Sequence, residues 1–310
     1  MKDAIILTDG KAGHENQSKA FARAIGCDAE IIPVAFRSRL AKMTSYVLSR
    51  LGIYTTALFK CDAPDGDKKL VIGTGSGTFY AAKALAKRMG AKCAVVLTPS
   101  GYDLSAFDCI LSPQFDNAPE RGNIVKIPVN LVANDQAFYD AGVAAFSQRR
   151  AAAQTAKAPN PPVAFIIGGP NKCSTMTAEW MRRQLEEAFA ATPDCEHWVT
   201  TSRRTPPDVE AVVDSFPFDY KLIYSRDHFN PIPAFVMLAG RLYVTAESTG
   251  MISEACSFGG AEVRVLDNLM PGPHKFRRFI DSLRRDGYID GSRKVDLAEQ
   301  FSRARLLLEP

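Results

Sequence analysis

RLYVTAESTGMISEACSFGG, Arg241 to Gly260, reads as a strand, a corner and a helix in direct succession. The apolar run RLYV stops at a Thr/Glu/Ser/Thr/Gly corner, and residues 250–258 then carry helical spacing. A helix start rich in hydroxyls and glycine converges backbone N–H groups on one point and adds the positive end of the macrodipole, which suits an anion. An ordinary N-cap uses the same geometry, with Ser248 or Thr249 satisfying the first orphan N–H groups. The corner alone does not choose between these readings. Its recurrence along the chain sets the fold.

The first half repeats the unit with DAIILT, AEIIPVAF, KLVIG, KCAVVLT, FDCILS and NIVKIP, and with helical spacing near 17–25, 39–51 and 77–89. A further helix over 135–153 closes this half, and the polar, proline-rich AQTAKAPNPP reads as a linker. The pattern restarts with VAFIIGG and continues through EHWVTT, YKLIYS, RLYVTA and AEVRVL. The intervening helices fall near 177–190, 207–215, 231–238 and 250–258, and helices over 273–285 and 294–308 follow. Two blocks of strand–helix alternation predict an α/β chain of two Rossmann-like, doubly wound parallel-sheet domains facing a cleft. The domains are expected over 1–157 and 158–310, with the last helix a candidate to pack back on the N-terminal domain. Such sheets bind ligands at the C-terminal ends of their strands, and a cleft between two of them is a favoured ligand site.

The totals fit this picture. The 310 residues leave room for two domains of roughly 150 each. Apolar content of 46% and charged content of 23% are those of a soluble globular chain. MKDAIILTDG is a buried strand rather than a signal peptide, and no apolar stretch approaches the ~20 residues of a membrane span. Seven cysteines are scattered without a Cys-x-x-Cys pair, which points to free thiols in a reducing cytoplasm. Four histidines show no zinc-ligand spacing, so no metal site is expected. A net charge of +4 makes no case for nucleic acid.

The loops at strand ends carry the chemistry. After the first strand, Asp9, Gly10, Lys11, Gly13, His14, Glu15 and Asn16 share one loop. His14, Glu15 and Asp9 are candidate proton acceptors able to activate a hydroxyl; the plain alternative is a polar surface loop. VIGTGSGTFYAA alternates Gly73, Gly75 and Gly77 with hydroxyls, yet is neither a Walker A sequence nor a full dinucleotide fingerprint. In IIGGPNKCST, Gly168 and Gly169 let backbone approach a ligand, while Asn171, Lys172, Ser174 and Thr175 can meet phosphate. In TTSRRTPPD, Arg203 and Arg204 match a diphosphate, or form a solvated pair before a Pro-started helix. Asn230 reads as a helix cap within the same half and joins the candidate nucleotide contacts. Glu254, six residues after Ser248, sits about one and a half turns into its helix and can accept from a ribose diol, or is a surface glutamate. Together with Ser248, Thr249 and Gly250, these loops describe a pocket for diphosphate and ribose.

DGKAGHENQ, IIGGPNK, TSRRTPPD, NPIPAFVMLAG and VTAESTGMISEA, in this order, resemble the mitochondrial-fission-protein-like family of glycosyltransferases, in its bacterial branch. The resemblance implies a GT-B-type fold, similar to that of the enzyme that adds GlcNAc to the peptidoglycan lipid precursor. It implies that Gly168, Gly169 and the Ser248–Gly250 corner hold the donor diphosphate and Glu254 the ribose. It also implies metal-independent transfer with no cofactor beyond the nucleotide-diphosphate sugar itself. Two stretches depart from the family's pattern: GTGSGT lacks basic residues, and SPQFDNAP carries Phe115 in place of a histidine. Both lie in the half that would take the acceptor.

The segment from Arg37 to Lys60 spaces Leu40, Met43, Val47 and Leu51 helically among Arg37, Arg39, Lys42 and Arg50. The commoner origin of such a stripe is a core-facing helix; the alternative is a helix resting on anionic lipid. The leading functional reading is therefore a cytoplasmic glycosyltransferase, peripheral to the inner membrane in the lipid-contact version. It moves a sugar from a nucleotide-diphosphate donor to a saccharide or lipid-linked acceptor. The competing readings are a nucleotide-sugar epimerase or hydrolase of the same fold, and a non-enzymatic adaptor.

Overall fold

The computed structural model describes residues 4–62, 68–151 and 160–309. In chain order the strands and helices begin β1 Ala4–Thr8, α1 Ala12–Ala24, β2 Ala29–Phe36, α2 Arg39–Arg50 and β3 Phe59–Cys61. They continue with β4 Leu70–Thr74, α3 Phe79–Met89, β5 Lys92–Val96, β6 Cys109–Pro113, β7 Ile124–Ile127 and α4 Gln136–Ala151. Then come β8 Asn160–Ile166, α5 Ala178–Ala190, β9 Cys195–Thr200, α6 Pro207–Ser215, β10 Tyr220–Leu222 and α7 Ile232–Leu238. The last are β11 Arg241–Thr245, α8 Thr249–Ser257, β12 Glu262–Leu266, α9 Lys275–Arg285 and α10 Ala298–Leu308. The chain divides into a first unit, Met1–Ala133 with Asp296–Pro310, and a second, Asn134–Val295.

The first unit holds a seven-stranded sheet in the order β3-β2-β1-β4-β5-β6-β7. β1, β4 and β6 are buried at every position, as strands covered on both faces must be. Alternation then sorts their side chains. Ile5, Leu7, Val71 and Val95 pack with Tyr80 and Leu85 of α3. Ala4, Ile6, Ile72 and Val96 pack with Phe21 of α1 and with Ala304 and Leu308 of α10. One strand escapes the sequence pattern: β3 has three residues and pairs antiparallel with the outer edge of β2, so this sheet is parallel except at that edge.

The second unit holds five parallel strands in the order β10-β9-β8-β11-β12. On one face Val163, Phe165 and Ile167 meet Met181 and Leu185 of α5 and Val209 and Val213 of α6. On the other, the Phe146 ring of α4 lies 5.1 Å from Trp198 and 5.6 Å from Phe235. That aromatic packing places α4 with the second unit, where its sequence position had put it at the close of the first half. The division accordingly falls at 133/134 instead of 157/158. Most of the expected linker lies outside the described residues, but its last three, Asn160, Pro161 and Pro162, open β8.

Both sheets reverse direction once. β2 lies on one side of β1 and β4 on the other. Likewise β9 and β11 flank β8. At such a reversal the loops leaving the two central strands diverge to opposite faces, and a crevice opens beyond their carboxyl ends. The β1/β4 and β8/β11 ends are where the strongest sequence candidates fall.

Candidate functional site

In the second unit the loops after β8, β9 and β11 lock together. Gly168 N donates to Thr245 Oγ1 at 2.9 Å, and Gly169 N donates to Glu247 Oε1 at 2.8 Å. Thr245 Oγ1 donates in turn to Glu247 Oε1 at 3.0 Å. From the β9 side, Thr205 Oγ1 donates to the Gly168 carbonyl at 2.5 Å. A Cβ on Gly168 would overlap Glu247 Oε1, and one on Gly169 would overlap the Arg204 carbonyl. These glycines therefore serve close packing between loops. Their amides are committed to Thr245 and Glu247, which corrects the expectation that they face a phosphate.

The corner from the opening stretch is arranged differently. Ser248 makes no side-chain capping bond to α8, so the cap alternative does not apply. Among the described residues the N–H groups of Thr249, Gly250 and Met251 find no acceptor, and the space beside Gly250 is open. Just ahead of them in the chain, Glu247 is only 3% exposed, and its second oxygen, Oε2, is buried without a partner. A buried carboxylate oxygen left unpaired costs of order 1–3 kcal/mol, so it calls for a donor from a water or a ligand. At the neighbouring strand end, Asn268 is buried with both side-chain polar atoms unpaired.

Glu254 is half-buried on α8 and accepts from Tyr139 Oη at 2.9 Å and Asn134 Nδ2 at 3.2 Å, both through Oε1. Burial raises its carboxyl above the ordinary range, and the two hydrogen bonds only partly oppose this. Burial and the neighbouring carboxylate push the Tyr139 hydroxyl up as well, so it stays a donor. The native protein then holds more protons than the unfolded chain in the window from 4.5, the ordinary glutamate value, up to the raised one. Its stability falls as pH climbs through that window. Glu254→Gln keeps an acceptor for Tyr139 and removes the charge. We expect it to flatten that pH dependence and to melt no lower than the wild type at neutral pH, as checked by thermal unfolding across pH.

The other predicted contacts divide. Arg203 and Arg204 are exposed beside the Gly169 loop and form no ion pair among the described residues. Lys172 is exposed at the tip of a tight turn that Asn171 and Ser174 close on themselves, with Asn171 N donating to Ser174 Oγ at 2.9 Å. Asn230 Oδ1 accepts from Ile232 N at 3.2 Å, so it serves the start of α7.

In the first unit the β1 and β4 loops meet in the same manner. His14 Nδ1 lies 3.0 Å from Asp9 Oδ1, and Lys11 Nζ lies 3.0 Å from Asp9 Oδ2. A Cβ on Gly75 would collide with the His14 ring, and one on Gly77 would come within 2.8 Å of Asp9 Cβ. Gly75 also sits at φ +81°, where a side chain is strained, so glycine is required twice over. Burial opposes ionisation of Asp9, but its bonds to Lys11 and His14 prevail and hold its carboxyl below the ordinary range. The ionised Asp9 is an acceptor placed for a hydrogen bond from His14 Nδ1, and His14 Nε2 has no hydrogen-bond partner among the described residues. Glu15 differs: the Lys19 ammonium 2.7 Å away, with a hydrogen bond from Thr8, holds its carboxyl low. A groove of about 410 Å³, lined by Thr8, Asp9, Val34, Lys60 and Asp62 among others, opens beside the pair. Phe115 is buried and contributes core.

Glu247, Thr245, Tyr139 and Asn134 escaped the sequence reading. Glu247 stood inside the opening stretch, but nothing in its spacing distinguishes a buried carboxylate from a surface one. Among the described residues no group of three or more His, Cys, Asp or Glu is placed to hold a metal ion.

A family model described as "Mitochondrial fission ELM1" matches residues 12–306. No curated protein matches the chain. Among solved structures, the chain is similar to the S. aureus MnaA–UDP co-structure, with 11% identity, 100% of this chain and 88% of that one covered, and a TM-score of 0.49. It is similar to N. meningitidis UDP-GlcNAc 2-epimerase bound to UDP-GlcNAc, at 12% identity, 99% and 98% coverage and a TM-score of 0.44. It is also similar to E. coli ADP-heptose LPS heptosyltransferase II, at 6%, 91% and 98%, and 0.43. With every score below 0.5, nothing about this chain's chemistry rests on these likenesses.

Proposed function

The chain belongs to the mitochondrial fission ELM1 family, and from that premise we propose that it is a cytoplasmic glycosyltransferase using a nucleotide-diphosphate sugar. The observation that carries the reading is the α8 N-terminus. It opens at the β8/β11 reversal with its first amides uncapped, two residues after Glu247, whose buried second oxygen lacks a donor. The amides and Arg203 and Arg204 receive the diphosphate, and a ligand hydroxyl or N–H meets Glu247 Oε2. Glu254, braced by Tyr139, keeps Oε2 for the ribose diol.

The acceptor is a hydroxyl of a saccharide or of a cell-envelope glycolipid, taken up by the first unit. His14 Nε2 accepts its proton as the acceptor oxygen bonds to the anomeric carbon. The bond from that carbon to the diphosphate breaks, and the diphosphate leaves with the electron pair. Asp9 holds the ring and stabilises the imidazolium that forms.

Nucleotide binding is the cheapest test. A nucleotide diphosphate or its sugar at 100 times Kd stabilises the native state by about 2.7 kcal/mol, which moves the melting temperature by several degrees. Glu254→Ala is expected to weaken that binding by about 10- to 100-fold in calorimetry, the effect of losing charge-assisted hydrogen bonds. A melting temperature that no nucleotide moves would remove the donor site and favour the adaptor reading.

A further inference from the structure

Helix α2 wears its apolar face outside. Leu40, Met43, Val47 and Leu51 are 75%, 64%, 59% and 65% exposed, and Ile53 just beyond is 48% exposed. At 100° per residue these helix positions share one narrow arc. The opposite arc holds Ser45 and Ser49, both fully buried. Their hydroxyls help fasten the helix to its unit: Ser45 Oγ lies 3.0 Å from Tyr102 Oη, and Ser49 Oγ lies 3.0 Å from Tyr54 Oη. Tyr46 stacks on Tyr102 with ring centroids 4.4 Å apart. The stripe is thus not the core-facing one; the helix meets its unit through Ser45, Tyr46, Leu48 and Ser49, and its most apolar side stays exposed.

Charge decides what covers it. From Arg37 to Lys60 there are five Lys or Arg and no Asp or Glu. Arg39 and Arg50 are exposed along one flank of the stripe, and Arg37 and Lys60 are exposed beyond it. A second copy docking through the same face would set these like charges against one another. An exposed apolar stripe in a segment that carries cations and no carboxylate matches the interface of a bilayer rich in anionic lipid, where methylenes enter the acyl boundary and cations meet headgroups. Twelve helical residues extend about 18 Å, enough to lie in that interface and not to cross it. Among the described residues no helix is long and apolar enough to span a membrane.

We propose that α2, continued by Leu51 and Ile53, seats the first unit on an anionic bilayer surface as an in-plane helix. This docking stands on the surface alone and does not need the transferase reading. It bears on that reading through Lys42, whose Nζ donates to Ser76 Oγ at 3.0 Å. Ser76 lies between Gly75, which the His14 ring packs against, and Gly77, which Asp9 packs against. The lipid-facing helix therefore braces the loop that packs on the candidate base, and a lipid-linked acceptor is the class this arrangement favours.

The test is sedimentation of the full chain with phosphatidylglycerol-containing vesicles and with pure phosphatidylcholine vesicles. The wild type is expected to sediment with the first and not the second, and to be released by salt. Met43→Ser with Val47→Ser, and separately Arg39→Gln with Arg50→Gln, are expected to weaken the partition by about tenfold or more. All four side chains are exposed, so circular dichroism and thermal melting should stay as in the wild type, and so should nucleotide-induced stabilisation. A wild type left in the supernatant overturns the docking, as does equal binding to both vesicle types. So does a concentration-dependent dimer, seen by ultracentrifugation, that the serine variants abolish while vesicles bind nothing. Loss of nucleotide binding in the wild type with vesicle binding intact would count against the enzyme reading alone.

Discussion

Replacing His14 by alanine is expected to lower turnover by about 10²- to 10⁴-fold, the usual contribution of a positioned general base, while leaving donor affinity unchanged. The split follows from the architecture. His14 sits at the β1/β4 reversal of the first unit, whereas the proposed diphosphate contacts all belong to the second. Asp9→Asn should be intermediate. Its amide can still occupy the same place, but it no longer fixes the Nδ1 proton or balances the imidazolium. Single-turnover kinetics beside calorimetry separate the chemical step from binding. Full activity in His14→Ala would exclude the base and turn attention to Asp9, since Lys19 already holds Glu15 in its charged, weakly basic form.

Gly168→Ala is expected to destabilise the second unit by about 1–3 kcal/mol or more, the range for overpacking, and to abolish nucleotide binding with it. The added methyl would overlap Glu247 Oε1 and come within 2.9 Å of Thr245 Oγ1. Those two atoms accept the Gly168 and Gly169 amides, so steric and hydrogen-bond losses fall on the same two loops. Gly250→Ala is the control. It lies equally close to the site, but a Cβ there meets nothing within 4 Å. Denaturant unfolding of the two variants side by side checks the claim. Equal stability would show that Gly168 is not held against Glu247.

The architecture was legible because periodicity reports burial. β1, β4 and β6 are apolar at nearly every position since both faces of a parallel sheet are covered, and that pattern needs no tertiary knowledge to see. β3 was not legible: three residues held by an edge pairing have no period of their own. The placement of α4 was hidden for a different reason. Its helical character shows in the sequence, but not the sheet it packs on, and only the rings of Trp198 and Phe235 against Phe146 answer that.

At the candidate site the glycines were visible and their employment was not. Gly168 and Gly75 both look like ligand-approach residues; both prove to yield room to a protein side chain, Glu247 in one case and His14 in the other. The hidden member, Glu247, illustrates the limit. A carboxylate in a loop reads as solvated, and its partners here are the amide of Gly169, nearly eighty residues earlier, and the hydroxyl of Thr245. The α2 stripe shows the reverse error. Helical apolar spacing predicts a buried face, and here two serine–tyrosine pairs with Tyr46 and Leu48 do the anchoring in its place.

The first unit is not a continuous stretch of chain. Its sheet is complete by Ile127, yet Ala304 and Leu308 of α10 belong to the layer that covers Cys109, Leu111 and Val125. During synthesis those strands must wait, one flank bare, while some 170 further residues leave the ribosome. The second unit is uninterrupted and can consolidate in the meantime, so assembly order is expected to invert chain order. A nascent protein stalled before Asp296 would present sticky β-structure to chaperones, whereas the internal unit would already resist proteolysis.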